Sequence, residues 1–448
     1  MEKEKLEVMI DEFIDEFLKE TTGKNIQVIS HFDTDGITSA AIITQTLKKI
    51  DQKFSLKIVK SLNAKIIKSL DSERPVLFLD LASGSFEHLK NSKIKKIFII
   101  DHHEIERDKI PKNVTIINSE LDKKQKISSS GLSYLFSKKL DEGNKEFAKL
   151  AILGMIGDML EREIEKLNNS ILEDGEIQRI KGLMIYPSTR PLNKVLEYSS
   201  NPFIPGVTGE SFGVAELLRE AGITPENGKY KNLIDLTEEE MKNLVTSIIL
   251  RDPSQKNNEL IGELFLVKFF GKLEDAREIS AKINACSREG HPEVALGFCL
   301  ENTNSKKKAE SIHAKYRQQL ISGIKFAKDE EKIRGKGYVI LNAKNRIKDT
   351  MIGTISSILA SSREYEEGTV IIGMSYDGKD KIKVSSRNAG RKGRNLREVL
   401  SSVMDSFEGE VGGHQSAAGC IINVRDEEEF IERIKNQLEV EVIKIGEK

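Results

Sequence analysis

Acidic and histidine side chains follow apolar stretches at four places in the first third of the sequence. The four stretches are IQVISHFDTDG, VLFLD, IFIIDHH and LGMIGDM. Carboxylate oxygens with an occasional imidazole nitrogen suit Mn²⁺ or Mg²⁺ better than a metal that prefers thiolate. Two such ions would activate a water molecule and bind the attacking and leaving oxygens of a phosphoryl-transfer reaction. The side chains that would carry this chemistry are His31, Asp33, Asp35, Asp80, Asp101, His102, His103 and Asp158.

Residue type and position suggest a division of roles among these side chains. One imidazole of the histidine pair should bind metal and the other should face the phosphate. His102 is therefore expected as a ligand, and His103 as the donor that stabilises developing charge. Asp101 is expected to orient both neighbours. A single aspartate after a strand is more often a helix N-cap, but the grouping of several with an Asp-His-His run favours a metal site. The expected ligands are His31, Asp33, Asp35, Asp80, His102 and Asp158.

The elements that must position these residues alternate between strands and helices. Strand-like IQVIS, LKIV, PVLFL, KKIFII and VTIIN are separated by segments with helical spacing, which predicts a mostly parallel sheet with helices on both faces. The carboxyl ends of such strands share one edge, where ligands bind. Side chains alternate along a strand, so Asp33 and Asp35 converge only if the strand ends by Thr34. Gly36 is expected to supply the freedom for that turn.

The 448 residues exceed one ordinary domain, and the composition changes along the chain. We predict an α/β fold with a mostly parallel-sheet catalytic domain at 1–161 and a helical linker or insertion at 162–258. A smaller α/β domain that binds substrate is predicted at 259–448, with a cleft between the two domains. Within the first domain, Ser128 is predicted to cap a helix, and Asp158 to lie near the end of another.

Two glycine-containing segments near the C-terminus have residues suited to phosphate binding. Glycines let backbone N–H groups approach a phosphate closely, and arginine binds one bidentately. A plain loop with a solvated histidine is the favoured interpretation of a Gly-Gly-His that stands alone, whereas a solvated basic loop and a phosphate-binding one explain Arg391, Lys392 and Arg394 equally well. The residues predicted to bind substrate are Ser385, Arg387, Gly412, Gly413 and His414.

Charge and cysteine content limit the classes of function. The net charge is −1 although 31% of residues are charged, so affinity for nucleic acid must come from a local basic surface. The three cysteines have no paired spacing, which argues against a disulfide framework or a zinc–thiolate site. No stretch has the length and apolarity of a membrane span, and the first residues lack the pattern of a signal peptide. These features predict a soluble, cytoplasmic protein without a membrane partner.

The ordered set HFDTDGITS, VLFLD, IIDHHE, LGMIGDM, SSRN and GGHQSAAG resembles the DHH phosphoesterase superfamily, and more closely its archaeal RecJ-like single-strand exonucleases. The resemblance covers nearly the whole chain. It implies two α/β domains joined by helices, with a dinuclear Mn²⁺ site in the cleft. It further implies that His103 contacts the scissile phosphate and that Arg387 and His414 bind the neighbouring one. The smaller phosphatases of the superfamily have a ligand histidine where this chain has Ile29, so His31 departs from the pattern. The ligands implied are Asp33, Asp35, Asp80, His102 and Asp158.

These observations lead to three functional hypotheses. The first is a Mn²⁺-dependent exonuclease that releases mononucleotides from single-stranded DNA or RNA in replication or repair, with Mg²⁺ as an alternative cation. The second is hydrolysis of very short substrates, such as oligoribonucleotides or a cyclic dinucleotide. The third is a scaffold that binds replication or helicase proteins and retains the nuclease site, with 162–258 as the docking surface. Strand polarity and the preference between DNA and RNA stay open.

Overall fold

The computed structural model describes residues 5–122, 126–162, 164–199, 202, 204–252, 260–362, 364–390, 392–409 and 411–446. The chain folds into two compact units. The first unit comprises Met1–Arg190, Asn232–Asp235 and Ile261–Ala314, and the second unit comprises Pro191–Lys231, Leu236–Leu260 and Lys315–Lys448. Among the described helices, none combines the length and the apolar composition needed to cross a membrane.

A five-stranded parallel sheet forms the centre of the first unit. Its spatial order is β2-β1-β3-β4-β5, and every neighbouring pair is parallel. The central strands are buried on both faces, as parallel strands covered by helices require. This confirms the predicted α/β fold with a parallel sheet. The strands are β1 (Ile26–His31), β2 (Phe54–Val59), β3 (Val76–Leu79), β4 (Ile97–Asp101) and β5 (Val114–Asn118).

Helices cover both faces of this sheet. The first helix buries Phe13 and Phe17, whose rings pack edge-on against Phe98 of β4 and against Phe136. Aromatic pairs in this geometry add stability beyond the area they bury. The helices are α1 (Lys5–Thr21), α2 (Thr34–Lys49), α3 (Ala64–Lys68), α4 (Phe86–Lys90), α5 (Ser129–Leu140), α6 (Ala148–Gly157) and α7 (Lys166–Asp174).

A three-stranded antiparallel sheet with order β6-β7-β8 completes the first unit. The segment predicted to be helical at 162–258 contains β6, because Gln178–Leu183 pairs with a strand that begins about 80 residues later. The strand predicted to open the C-terminal domain, β7, belongs to the first unit. The elements are β6 (Gln178–Leu183), β7 (Ile261–Phe269), β8 (Lys272–Asp275), α11 (Ala276–Arg288) and α12 (Pro292–Cys299), with α8 (Leu192–Glu197), α9 (Ser211–Glu220) and α10 (Glu238–Arg251) in the second unit.

A six-stranded mixed sheet with order β13-β14-β12-β11-β10-β9 forms the core of the second unit. Apolar side chains of its strands pack with those of two helices, Leu396–Met404 and Glu427–Gly446. A separate C-terminal sheet domain is thus confirmed, whereas the three-part division of the sequence stays a prediction. The elements are α13 (Thr303–Asp329), β9 (Ile333–Gly335), β10 (Tyr338–Asn342), α14 (Asp349–Ser361), β11 (Val370–Asp377), β12 (Lys381–Asn388), α15 (Leu396–Met404), β13 (Val411–His414), β14 (Ala417–Asn423) and α16 (Glu427–Gly446).

Candidate metal centre

The transition from β1 to α2 brings Asp33 and Asp35 to the same side. The strand ends at His31 and the helix begins at Thr34, as convergence requires. Asp33 is also the N-cap of α2, and its Oδ1 accepts a hydrogen bond of 3.0 Å from the Gly36 backbone N–H. The reason predicted for Gly36 is wrong, because this glycine lies in the helix with an ordinary φ. A Cβ there would lie 2.3 Å from the carbonyl oxygen of His31, so close approach requires glycine.

Three overlapping groups of side chains offer ligand atoms that lie within 4.8 Å of one another. Asp80 belongs to two of the groups, and His102 also belongs to two. The Nε2 atom of His102 lies 3.4 Å from Asp158 Oδ2 and 3.6 Å from Asp80 Oδ1. Because they share members, the three groups form one continuous cluster that could hold a metal ion. The groups are His31, Asp33 and Asp80; Asp80, His102 and His103; and Asp35, His102 and Asp158.

His31 lies among the acids. Its Nδ1 atom is 3.0 Å from Asp33 Oδ2 and 3.2 Å from Asp80 Oδ2. The backbone of Lys60 also makes a hydrogen bond with the imidazole. A backbone carbonyl that holds one ring nitrogen fixes the orientation of the other, an arrangement common for histidines that bind metal.

Asp101 and Asn118 hold the loops that carry the other ligands. The Oδ1 atom of Asp101 accepts hydrogen bonds from the His102 backbone N–H (2.9 Å) and from His103 Nδ1 (2.7 Å), and its Oδ2 accepts from the Ser83 N–H (3.1 Å). Asn118 donates to the His103 carbonyl and to Ser83 Oγ. Asp101 thus contacts its neighbours in the way expected for an orienting residue. Asn118 was not identified from the sequence. The signal was present, because Asn118 directly follows the apolar VTII run, just as Asp80 and Asp101 follow the apolar runs of their strands.

The N-terminus of α5 binds two of the carboxylates directly. The backbone N–H groups of Ser129 and Ser130 donate to the two oxygens of Asp35 over 2.7 and 3.0 Å. The hydroxyl of Ser129 donates to Asp80 Oδ1 over 3.0 Å. A helix N-terminus stabilises negative charge through free N–H groups and its dipole. The SSSG run marks the start of a helix, and Ser128 caps that helix as predicted. The local sequence does not show which carboxylates the N-terminus of the helix contacts.

Helix α6 approaches this centre through a glycine. A Cβ at Gly154 would lie 2.0 Å from Ser130 Oγ, 2.4 Å from Asp35 Oδ1 and 2.6 Å from Thr38 Oγ1. Any side chain there would therefore displace Asp35 or separate the helices. The same helix ends at Gly157 and places Asp158 as its C-cap, beside His102.

The electrostatics of the site favour a cation. Burial, together with the charges of neighbouring aspartates, raises the pKa of Asp80 and of Asp158 well above the ordinary value. Burial opposes ionisation of Asp33 too, but the charge and hydrogen bond of His31 hold the pKa of Asp33 below its ordinary value. Among the described residues, the buried Oδ2 atom of Asp158 has no hydrogen-bond partner. Crowded carboxylates with an unbonded buried oxygen fit divalent cations.

The His103–Asp101 pair differs from the ligand groups. The hydrogen bond to Asp101 is the main cause that raises the pKa of His103. For Asp101, burial opposes ionisation, but the same hydrogen bond outweighs burial and lowers the pKa to about 2. The side chain of His103 is 54% exposed. His103 is therefore the more accessible imidazole of the two, and an ionised partner favours its protonated form.

Ser385 and Arg387 lie together on β12 in the second unit. Arg387 donates through Nε to Ser357 Oγ of α14 (2.9 Å) and through Nη1 to Ser385 Oγ (3.1 Å). Gly353 leaves room for both, since its Cβ would lie 3.3 Å from Ser385 Oγ and 3.6 Å from Arg387 Nη2. Ser357 and Gly353 were missed from the sequence, because their contact with β12 depends on how α14 packs on the sheet.

The glycine-rich turn begins two strands away from Arg387. Gly412 and Gly413 lie on β13, and the backbone of His414 pairs with Ala417, which in turn pairs with Arg387. Two strand spacings separate the His414 and Arg387 backbones by about 10 Å. The side chain of His414 and the whole of Arg391 lie outside the described residues.

Family comparisons match three parts of the chain. The DHH family N-terminal domain matches residues 25–155, the DHH-CID domain matches 186–259, and the DHHA1 domain matches 335–440. An uncharacterized protein of Methanocaldococcus jannaschii is 30% identical over 433 residues, which cover 91% of this chain and 92% of the relative.

Solved structures with the same fold include two proteins of low sequence identity. The exonuclease RecJ bound to manganese aligns with a TM-score of 0.58 at 17% identity and covers 95% of this chain and 93% of its own. CDC45 from Entamoeba histolytica aligns with a TM-score of 0.69 at 12% identity, over 96% of this chain and 98% of its own. The matched domains and their order show that this chain, which has a RecJ-like fold, belongs to the DHH family.

Proposed function

We propose that this chain is a Mn²⁺-dependent phosphodiesterase that degrades single-stranded DNA or RNA from one end and releases mononucleotides. The observation that carries the proposal is the overlap of the three ligand groups at Asp80 and His102. Two shared members support the proposal of two neighbouring cations, which a phosphoryl-transfer site uses. Replication or repair of DNA is the process we propose for it.

The proposed chemistry divides between ligands and donors of the first unit. Bound cations would supply an activated water and stabilise charge on the phosphate oxygens. Asp101 holds the protonated form of His103 and directs its imidazole, so that His103 donates to an oxygen of the scissile phosphate. Ser129 and Ser130 hold the carboxylates of Asp35 and Asp80 in place through hydrogen bonds. The proposed ligands are His31, Asp33, Asp35, Asp80, His102 and Asp158.

Substrate binding is proposed for Arg387, with its guanidinium held by Ser357 and Ser385. A guanidinium whose orientation is already held by hydrogen bonds binds a phosphate with less loss of side-chain entropy. Gly412, Gly413 and His414 are proposed to contribute from the neighbouring turn. RecJ structures are bound to manganese or to magnesium, which supports a divalent cation of this kind, and we propose Mn²⁺ as the preferred one.

A second candidate is a scaffold in a replication complex that retains the nuclease site. The fold similarity to CDC45 over nearly the whole of both chains favours it. The two functions are compatible, because the proposed ligands lie in the first unit and a docking surface on 191–231 and 236–260 would lie in the second. Deletion of a partner contact should then leave hydrolysis intact.

The test is digestion of single-stranded DNA and RNA labelled at the 5′ or the 3′ end, at several lengths, with Mn²⁺, Mg²⁺ or chelator. We expect a ladder of mononucleotide release from one labelled end with Mn²⁺, and none with chelator. Products that stop at short oligonucleotides, or hydrolysis confined to dinucleotides, would favour the short-substrate enzyme instead. No hydrolysis of any substrate with either cation would contradict the proposal.

A further inference from the structure

The segment from 53 to 70 has an unusual charge for a chain with a net charge of −1. It contains five lysines and no acidic residue. All five side chains are exposed, and none makes an ion pair with any residue that the structure describes. Other lysines of this unit do form ion pairs, as in Lys95–Glu73 and Lys96–Glu16. The five are Lys53, Lys57, Lys60, Lys65 and Lys68.

Four of these lysines lie on consecutive elements at one edge of the parallel sheet, and we name them the lysine strip: Lys57, Lys60, Lys65 and Lys68. Lys57 lies on β2, the edge strand of the parallel sheet. Lys60 comes directly after β2, and α3 carries the other two on its exposed side while Ile67 packs into the core. The N-cap Asn63 fixes the start of α3 by accepting a hydrogen bond from the Ile66 N–H.

The lysine strip meets the metal centre at Lys60. Val59, the last residue of β2, pairs with His31, and the Lys60 backbone makes a hydrogen bond with the His31 imidazole. Lys60 of the strip therefore lies at the carboxyl edge of the sheet, beside one of the ligand groups, with Lys57 before it on β2 and Lys65 and Lys68 after it on α3. Lys53 lies at the opposite, amino-terminal edge.

We propose that the lysine strip binds the backbone phosphates of a single-stranded nucleic acid whose terminal phosphodiester lies at the metal centre. This inference rests on the proposed function and adds to it the surface of the first unit that the strand follows. A row of unneutralised cations repels itself, and a phosphate chain relieves that repulsion while it releases its own counterions. Phosphate contacts carry no base information, so the strip would accept DNA and RNA of any sequence.

A triple variant tests the strip against a control of equal charge change. The test variant carries Lys57→Gln, Lys65→Gln and Lys68→Gln, and Lys60 is kept because its backbone contacts His31. The control variant carries Lys53→Gln, Lys93→Gln and Lys112→Gln. These three are exposed, lie at the amino-terminal edge of the sheet and make no ion pair with a described residue. Thermal melting of both variants establishes that they are folded.

Two measurements follow for each protein. The first is affinity for a labelled single strand of about 20 nucleotides in chelator, across a range of salt concentrations. Loss of three phosphate contacts should reduce the slope of log K against log salt by about 2, at about 0.7 per contact. The second is the ratio of the KM for the long strand to the KM for a dinucleotide, which should rise about tenfold or more in the test variant. The control variant should match the wild type in both.

The outcomes separate this inference from the proposed function. A test variant with the salt slope and the KM ratio of the wild type would overturn the strip, and an acidic protein would become the better occupant of this surface. Wild-type protein that hydrolyses neither the long strand nor the dinucleotide would overturn the proposed function. A lower slope in the test variant alone, together with active wild type, supports both.

Discussion

At the scale of single residues, Asp80 is the side chain on which the candidate metal centre depends most. It belongs to two ligand groups and contacts His31 and Ser129. Its backbone has φ 58°, and Ala82 just after it has φ 92°. Residues other than glycine adopt these angles at a cost of about 1–3 kcal/mol, and such strain is concentrated at functional sites. The turn that aims Asp80 is therefore held by its surroundings, including the Asp101–Ser83 hydrogen bond.

Replacement of Asp80 by asparagine should abolish hydrolysis and leave the fold intact. The amide keeps the shape but loses the charge that two adjacent cations would share, so we expect kcat to fall at least about 1,000-fold. Mn²⁺ should raise the melting temperature of the wild type but not of this variant. Asp108→Asn, at an exposed position outside the site, is the control. An Asp80→Asn protein with full activity in Mn²⁺ would rule out the two-cation assignment.

At the scale of elements, the centre depends on how α2, α5 and α6 pack on one another. The N-terminus of α5 holds Asp35, and α6 reaches the same carboxylate through Gly154. These helices pack mutually in the core of the first unit. Small shifts between them would therefore move ligands as well as core side chains.

Gly154→Ala should disturb both stability and metal binding. A methyl group at this position collides with Ser130, Asp35 and Thr38, and overpacking of this kind costs about 1–3 kcal/mol. The cost exceeds the gain of up to about 1 kcal/mol that alanine brings to a helix. Calorimetric titration with Mn²⁺ should show weaker binding. Gly84→Ala, where a methyl group meets nothing, is the control, and an unchanged Mn²⁺ affinity in Gly154→Ala would contradict the packing argument.

The link between α5 and α7 should make stability depend on pH. Asp174 accepts hydrogen bonds from Tyr134 Oη (2.9 Å) and Lys138 Nζ (2.6 Å). Burial opposes ionisation, but these two bonds hold the pKa of Asp174 below its ordinary value. A lowered pKa contributes stability above about pH 4, the unfolded value, and the contribution is lost as the pH falls through the folded pKa.

Asp174→Asn should therefore lower the free energy of unfolding by about 1–3 kcal/mol at neutral pH. The difference from the wild type should shrink as the pH is lowered below about 4. Urea unfolding at a series of pH values measures it, and Glu173→Gln on the same helix serves as the control. A difference that stays constant down to pH 3 would show that the charge of Asp174 plays no part.

At the scale of the whole molecule, the proposed chemistry divides between two compact units. Every proposed metal ligand belongs to the first unit, whereas Arg387 and the glycine-rich turn belong to the second. Binding of a cation should therefore stabilise one unit directly. The strands β6 and β7 belong to the first unit. In the sequence, segments 191–231 and 236–260 of the second unit lie between them.

Hydrogen exchange with and without Mn²⁺ should locate the cation. We expect slower exchange in segments that carry ligands or hold them, because a cation that binds only the folded site suppresses local opening. Those segments are 26–36, 76–83, 97–103, 126–131 and 154–158. Strands β11 and β12 should exchange at the same rate in both conditions, and Asp80→Asn should remove the effect. Protection by Mn²⁺ confined to the second unit would contradict the assignment.

Local patterns in the sequence determined the parallel sheet and the acids at its edge. A few neighbouring residues suffice to recognise the apolar runs that stop at Asp80 and Asp101. Because both runs are parallel strands of one sheet, their carboxyl ends bring the two aspartates to the same edge. The same holds for the Ser128 cap of α5 and for the pairing of Ser385 and Arg387 on one strand, since each depends on neighbours in sequence.

Only the tertiary structure decided the contacts that join distant segments. Three features depend on helices and strands that meet in space. They are the position of His31 beside Asp33, the hydrogen bond from the Ser129 N–H to Asp35, and the need for glycine at position 154. The β6–β7 pairing, across about 80 residues, is of the same kind. Hydrogen bonds and steric limits between such segments leave no periodicity in the sequence, because each side chain is compatible with many partners until packing selects one.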